Sequence, residues 1–113
     1  MKRSLKLFVY DIAESIKDIK SFLKGVSKKY FFKDKLRQNA VIRGLEIIGE
    51  STKNIPDSFR EKYPEVQWRR IAGLRDIIIH AYFEIDLDTT WEIINKDLPL
   101  LEKQINEIKK NLD

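Results

Sequence analysis

Residues 68–82 read Trp-Arg-Arg-Ile-Ala-Gly-Leu-Arg-Asp-Ile-Ile-Ile-His-Ala-Tyr and hold nine hydrophobic residues of fifteen in a 113-residue chain otherwise rich in Lys and Glu. A run this apolar belongs at the centre of the fold. Its spacing predicts a helix from about Gln67 to about His80. Set into it are Arg75, Asp76 and His80, the chain's single histidine. Two explanations stand side by side at this point: the fold tolerates these groups, or they carry chemistry.

Working outward, helix follows helix. From Ser4 to about Lys24, Leu5, Phe8, Val9, Ile12, Ile16, Ile19 and Leu23 recur every three or four positions, with Ser4 as N-cap and Gly25 as stop. Val26 to Lys33 is a connection whose Tyr30, Phe31 and Phe32 plug one end of the core. Asp34 caps a second helix to about Thr52, with Leu36, Ala40, Val41, Leu45, Ile47 and Ile48 inward. Gly44 and Gly49 lie inside it. Each disfavours a helix by roughly 1 kcal/mol relative to alanine, so they serve close packing. Pro56 starts a short helix that Pro64 closes. Phe83 to Leu87 reads as a loop, and Asp88 or Thr89 caps the last segment. There Trp91, Ile94, Leu98, Leu101, Ile105, Ile108 and Leu112 keep helical spacing through Pro99, which predicts one helix, kinked or briefly broken. No strand-period run stands out. The expected fold is a single all-α domain over residues 1–113, an up-and-down bundle of four long helices plus a short helix.

Composition bounds the function. Charged residues make up 35% and hydrophobic ones 42% of the chain, which suits a globular protein and not a disordered one. No stretch approaches the length of a membrane span, and the N-terminal residues read as a helix, not a signal peptide. The chain contains no cysteine, so disulfides and thiolate metal sites are excluded, and a cytoplasmic location fits. A net charge of +4 permits contact with a polyanion such as RNA without demanding it. Nucleophilic catalysis of the Ser-His-Asp or Cys-His kind lacks its nucleophile near His80. A zinc site lacks ligands, with one histidine and no cysteines. There is no Gly-rich phosphate loop and no Glu-x-x-His pairing of the di-iron type. Metal-free chemistry around Arg75 and His80 remains, or no chemistry.

On a helical wheel with Arg75 as origin, Ile71, Leu74, Ile78 and Ala81 share one side at roughly 240° to 320°. That is the core face. Asp76 and His80 fall on another side with Gly73, and Arg75 sits between the two, beside Ala72 and Ile79. A mixed face on so apolar a helix points to burial against something outside the bundle, most simply a second copy of the chain. A homodimer about this helix would set two Arg-His pairs facing each other across a two-fold axis.

The string Arg75-Asp76-Ile77-Ile78-Ile79-His80-Ala81-Tyr82 resembles the R-x4-H-x-Y motif of HepT toxins in the HEPN superfamily of small helical domains. Ile42 to Glu50 is similar to the family's second-helix signature, Trp68 to Leu74 to the lead-in, and Trp91 with Asp97-Leu98-Pro99 to the C-terminal helix. Asp76 stands where the family often has Asn, and Ala81 where it often has Gly. A carboxylate at position 76 repels phosphate and acts on its neighbour His80. The resemblance implies a HEPN-like fold and a homodimeric, metal-independent endoribonuclease needing no cofactor, the toxin of a toxin–antitoxin module. It implies Arg75 and His80 as catalytic residues, Asp76 as their support, and RNA, with tRNA as a candidate, as substrate. Its partner would be a minimal nucleotidyltransferase antitoxin of the MntA type, which silences the toxin by transferring AMP to Tyr82.

That chemistry is physically coherent. RNA carries its own nucleophile, the 2′-OH, so the enzyme needs only proton transfer and charge stabilisation. Histidine titrates near neutrality and suits the first task; arginine's planar, permanent charge suits the second. Asp76 can accept a ring N–H of His80 and fix its tautomer. The competing readings are a helical dimer that binds a nucleotide or a nucleotidyltransferase without cutting, and a structural dimer whose Arg75–Asp76–His80 cluster fixes the interface. In those, Arg75 pairs with Asp76, Glu46 or Glu50, and Tyr82 is a core-edge aromatic. Trp68 and Trp91 are packing residues, and Lys109 and Lys110 a solvated face.

Overall fold

The computed structural model describes residues 4–79 and 81–112. Helix α1 (Leu5–Leu23) opens on Ser4, whose hydroxyl accepts from Leu7 N–H, and ends before Gly25, which holds φ +74°. Its stripe Val9, Ile12, Ile16 and Ile19 is fully buried. A one-turn helix α2 (Lys28–Phe31), capped by Ser27, interrupts the expected connection. Of its aromatic residues Phe31 alone is fully buried, against Trp91 at 5.4 Å between ring centroids; Tyr30 stays exposed. Helix α3 (Lys35–Lys53) is capped by Asp34 as expected, although Leu36, expected inward, is 80% exposed in its first turn.

Helix α3 is the axis of the bundle, touching α1 along one side and the region after residue 67 along another. A glycine serves each contact. A Cβ at Gly44 would stand 2.8 Å from the side chain of Ile19, and one at Gly49 3.2 Å from the carbonyl oxygen of Ala72. Five residues separate them, about 140° around the helix axis, so they open α3 on two different sides. The short helix α4 (Asp57–Arg60) follows Pro56. Arg60 donates to the carbonyls of Thr52 and Ile55 at 2.8 and 3.0 Å, closing the C-terminal end of α3.

The expected single helix over residues 67–80 is divided. Helix α5 (Trp68–Ala72) stops at Gly73, whose N–H is shared between the carbonyls of Arg69 and Arg70, and α6 (Leu74–Ile78) begins from the same residue. Glycine's backbone freedom favours the break. Helix α6 ends early for a different reason. Three consecutive isoleucines, 77–79, are β-branched and favour extended backbone, and Ile79 adopts it at φ −101°, ψ 120°.

The final run comprises α7 (Leu87–Glu92), a π turn over Ile93–Asp97, and α8 (Leu98–Leu112). Its cap is Asp86, not Asp88 or Thr89: one carboxylate oxygen accepts Thr89 N–H at 3.0 Å and the other its hydroxyl at 2.7 Å. The helix continues through Pro99 without a break. Proline lacks an N–H and its ring crowds the carbonyl four residues back. The wider π turn just before it, where Leu98 N–H reaches Ile93 O, gives that carbonyl room. Leu98, Leu101, Ile105 and Ile108 complete the core against α1, and Lys20 joins Glu102 at 3.0 Å across the same contact. Arg70 reaches the π turn with a two-pronged hydrogen bond to Asp97, at 2.9 and 3.3 Å, which holds its guanidinium pKa above the ordinary value. The expected all-α fold holds: among the described residues extended pairing is confined to one isolated bridge, Ile79 with Ile85.

Candidate functional site

The central stretch places its groups by what flanks them. Ile71, Leu74 and Ile78 are buried, as the wheel predicts, and fasten α5 and α6 to α3. Arg75 leaves α6 at the edge of that contact, with its side chain 53% exposed. Three carboxylates were open to it from sequence, and the fold selects one. Arg75 Nε lies 3.6 Å from Glu46 Oε2 on α3, whereas Glu50 faces Lys53 at the same distance. Among the described residues no ion pair joins Arg75 to Asp76, which is exposed on α6. At 3.6 Å the Arg75–Glu46 contact is an ion pair and not a hydrogen bond. At such exposure it stabilises by no more than about 1 kcal/mol, so an incoming phosphate has little to displace.

Beyond α6 the chain turns back sharply. Asp86 N–H donates to Ile78 O at 2.8 Å, and Ile79 pairs with Ile85 in an antiparallel bridge. These two contacts close the base of a loop over residues 79–85. At its tip Tyr82 (φ 69°) and Phe83 (φ 62°) both take left-handed backbone. That conformation costs roughly 1–2 kcal/mol for a non-glycine residue. Tyr82 is 95% and Phe83 80% exposed. The placement of Tyr82 as a core-edge aromatic is therefore overturned. Ala81, assigned by the wheel to the core face, is exposed as well, because the helix has ended before it. His80, expected as proton carrier, lies outside the described residues, and with it the expected contact from Asp76.

Two depressions on the surface differ in the charged residues that line them. Between α1 and α3 a cleft of about 290 Å³ is lined by Asp11, Glu46 and Glu50 against a single cation, Arg43. Beside α4 and α5 an open groove of about 680 Å³ is lined by Arg60, Arg69 and Arg70 with Gln67, the Arg70 guanidinium being held by Asp97. Sequence reading missed this division and also missed the exposed Phe83. Neither leaves a local signal, since one depends on which helices meet and the other on a backbone turn. Among the described residues no helix is long and apolar enough to cross a membrane.

Comparison with known proteins agrees with the family resemblance. The family described as "Ribonuclease HepT-like" matches residues 12–108. A Thermococcus cleftensis protein named "Probable ribonuclease HepT" is 44% identical over 110 residues, covering 97% of this chain and 100% of the relative. A Methanocaldococcus jannaschii protein named "Putative RNase" is 45% identical over 112 residues, 99% of this chain and 93% of its own length. A second protein of that organism, "Gamma-glutamylcyclotransferase and putative RNase", is 44% identical over all 113 residues, which span only 51% of its length. No solved structure matches significantly. With a family match over most of its length and relatives above 40% identity from end to end, the chain belongs to the HepT-like ribonuclease family.

Proposed function

We propose that this protein is a metal-independent endoribonuclease in which Arg75 holds the scissile phosphate and His80 moves the proton. The observation that carries the proposal is Arg75 itself. On a helix whose other face is core, its guanidinium stands half in water with an ion-pair partner too distant to hydrogen-bond. In the reaction the 2′-oxygen gives up its proton to His80 and attacks phosphorus. The O2′–P bond forms, the P–O5′ bond breaks, and the 5′-oxygen takes up a proton, leaving a 2′,3′-cyclic phosphate and a 5′-hydroxyl. Arg75 neutralises the charge that builds on the non-bridging oxygens. Two chains paired about α5 and α6 would bring two such sets together, one acting as base and one as acid. Asp76 supports His80.

The same reading assigns the protein to a cytoplasmic toxin–antitoxin module. An MntA-type nucleotidyltransferase transfers AMP to Tyr82: the phenolic oxygen bonds to the α-phosphorus of a nucleoside triphosphate and pyrophosphate leaves. The exposed tip position of Tyr82 supports this, since a modifying enzyme needs the hydroxyl in reach. The added phosphate would occupy Arg75 and its nucleoside would fill the approach.

The test uses purified protein with total tRNA in excess chelator, beside Arg75→Ala and His80→Ala. Cleavage by the wild type is expected, falling at least a hundredfold in both variants with melting temperature unchanged. Intact RNA in every preparation would leave a binding protein in place of an enzyme.

A further inference from the structure

Phe83 has no explanation in the fold or in the proposed reaction. Tyr82 beside it carries a hydroxyl that water solvates. The Phe83 side chain has no polar atom, yet the residue is 80% exposed and held on left-handed backbone at φ 62°. The loop that presents it is closed at its base by the Ile78–Asp86 hydrogen bond and the Ile79–Ile85 bridge. Asp86 is in turn fixed as the cap of α7. An apolar ring is thus held out into solvent from a tied base, eight residues along the chain from Arg75.

We propose that Phe83 is a substrate-positioning residue whose ring stacks on a nucleobase of single-stranded RNA while Arg75 holds a phosphate of the same strand. The assignment rests on the ribonuclease reading above. A flat ring without hydrogen-bonding groups accepts any base face, which gives affinity without sequence choice. A protein partner is the less fitting occupant. The loop tip offers two rings flanked by exposed Ala81 and Glu84, not a broad apolar surface. Left-handed backbone at two successive aromatic residues turns both rings away from the core, as a platform requires.

Binding of a labelled 2′-O-methyl oligoribonucleotide, which lacks the attacking hydroxyl and stays uncut, tests this in the full chain. Wild type, Phe83→Ala, Phe83→Leu and Phe83→Trp are compared, each also with an abasic strand of equal length. Stacking predicts roughly tenfold weaker binding for Phe83→Ala and Phe83→Leu, wild-type affinity for Phe83→Trp, and no difference among the four on the abasic strand. Equal binding by Phe83→Leu and wild type overturns the proposal, because apolar bulk would then suffice. So does equal loss on the abasic strand. If sedimentation shows that Phe83→Ala separates the chains and affinity falls only with that separation, Phe83 is a chain–chain contact and the proposal fails. Base-dependent binding through Phe83 in a wild-type protein that cuts no RNA removes the proposed reaction and leaves this assignment standing.

Discussion

Gly44 and Gly73 both sit in sequence with helical periodicity, yet α3 runs straight past the first while the central helix divides at the second. Their surroundings account for the difference. A Cβ at Gly44 would meet the fully buried Ile19 of α1, and one at Gly49 the backbone of α5. At Gly73 the nearest atoms are carbonyl oxygens of its own preceding turn, at 3.5 and 3.8 Å. A glycine clamped between helices keeps its helix, because burial on both sides outweighs the propensity cost of roughly 1 kcal/mol. A glycine with no neighbour beyond its own strand of chain breaks the helix. The first half of the molecule is thus built for packing, and the second half yields regular structure where the functional groups emerge.

The largest test of that contrast is Gly44→Val. The added side chain drives into Ile19, which has no solvent side to move toward, and overpacking of this kind costs about 1–3 kcal/mol. A drop of several degrees in melting temperature is expected, followed by circular dichroism. A melting curve that matches the wild type would mean that α1 and α3 are not closely packed at this level.

Gly73→Ala is expected to act in the opposite direction. Its φ of −99° is open to alanine and its nearest neighbours lie at ordinary contact distance. Restricting the unfolded chain therefore stabilises by about 0.4–1 kcal/mol. The same substitution favours a continuous α5–α6, which would alter where Arg75 points. Cleavage of RNA should fall while stability rises. Two gains together, in stability and in activity, would show that the division has no bearing on the site.

What the sequence discloses follows the same boundary. Ser4, Gly25 and Asp34 mark the ends of α1 and α3 because caps and stops act on their own backbone. The Arg75 edge position is also legible, since a wheel needs only a helix through residue 78. The wheel fails at Ala81, and the core-edge reading at Tyr82, where the chain turns under contacts between residues 78 and 86 that periodicity does not encode. Glu46 was one carboxylate among three, and only the meeting of α3 with α6 selects it. The groove of arginines beside α4 and α5 likewise exists only once the helices are docked.

The smallest expected effect concerns Asp34, on the well-packed side. Its carboxylate accepts from Arg37 N–H at 3.1 Å and pairs with the Arg37 guanidinium; the side-chain hydrogen bond is the main cause that holds its pKa below the usual carboxylate range. A group depressed on folding adds stability that is present above its unfolded pKa and lost as pH falls through the folded value. Asp34→Asn keeps an acceptor for the cap but removes the charge. Wild type should therefore exceed the variant slightly in stability at neutral pH. The gap should close as pH falls below the ordinary carboxyl range, with urea midpoints at each pH as the readout. A gap that stays constant from neutral to acid pH would place the whole contribution of Asp34 in the neutral cap and none in its pairing with Arg37. In a helix that packing already holds straight, the Asp34 side chain then serves only as a neutral cap that fixes where α3 begins.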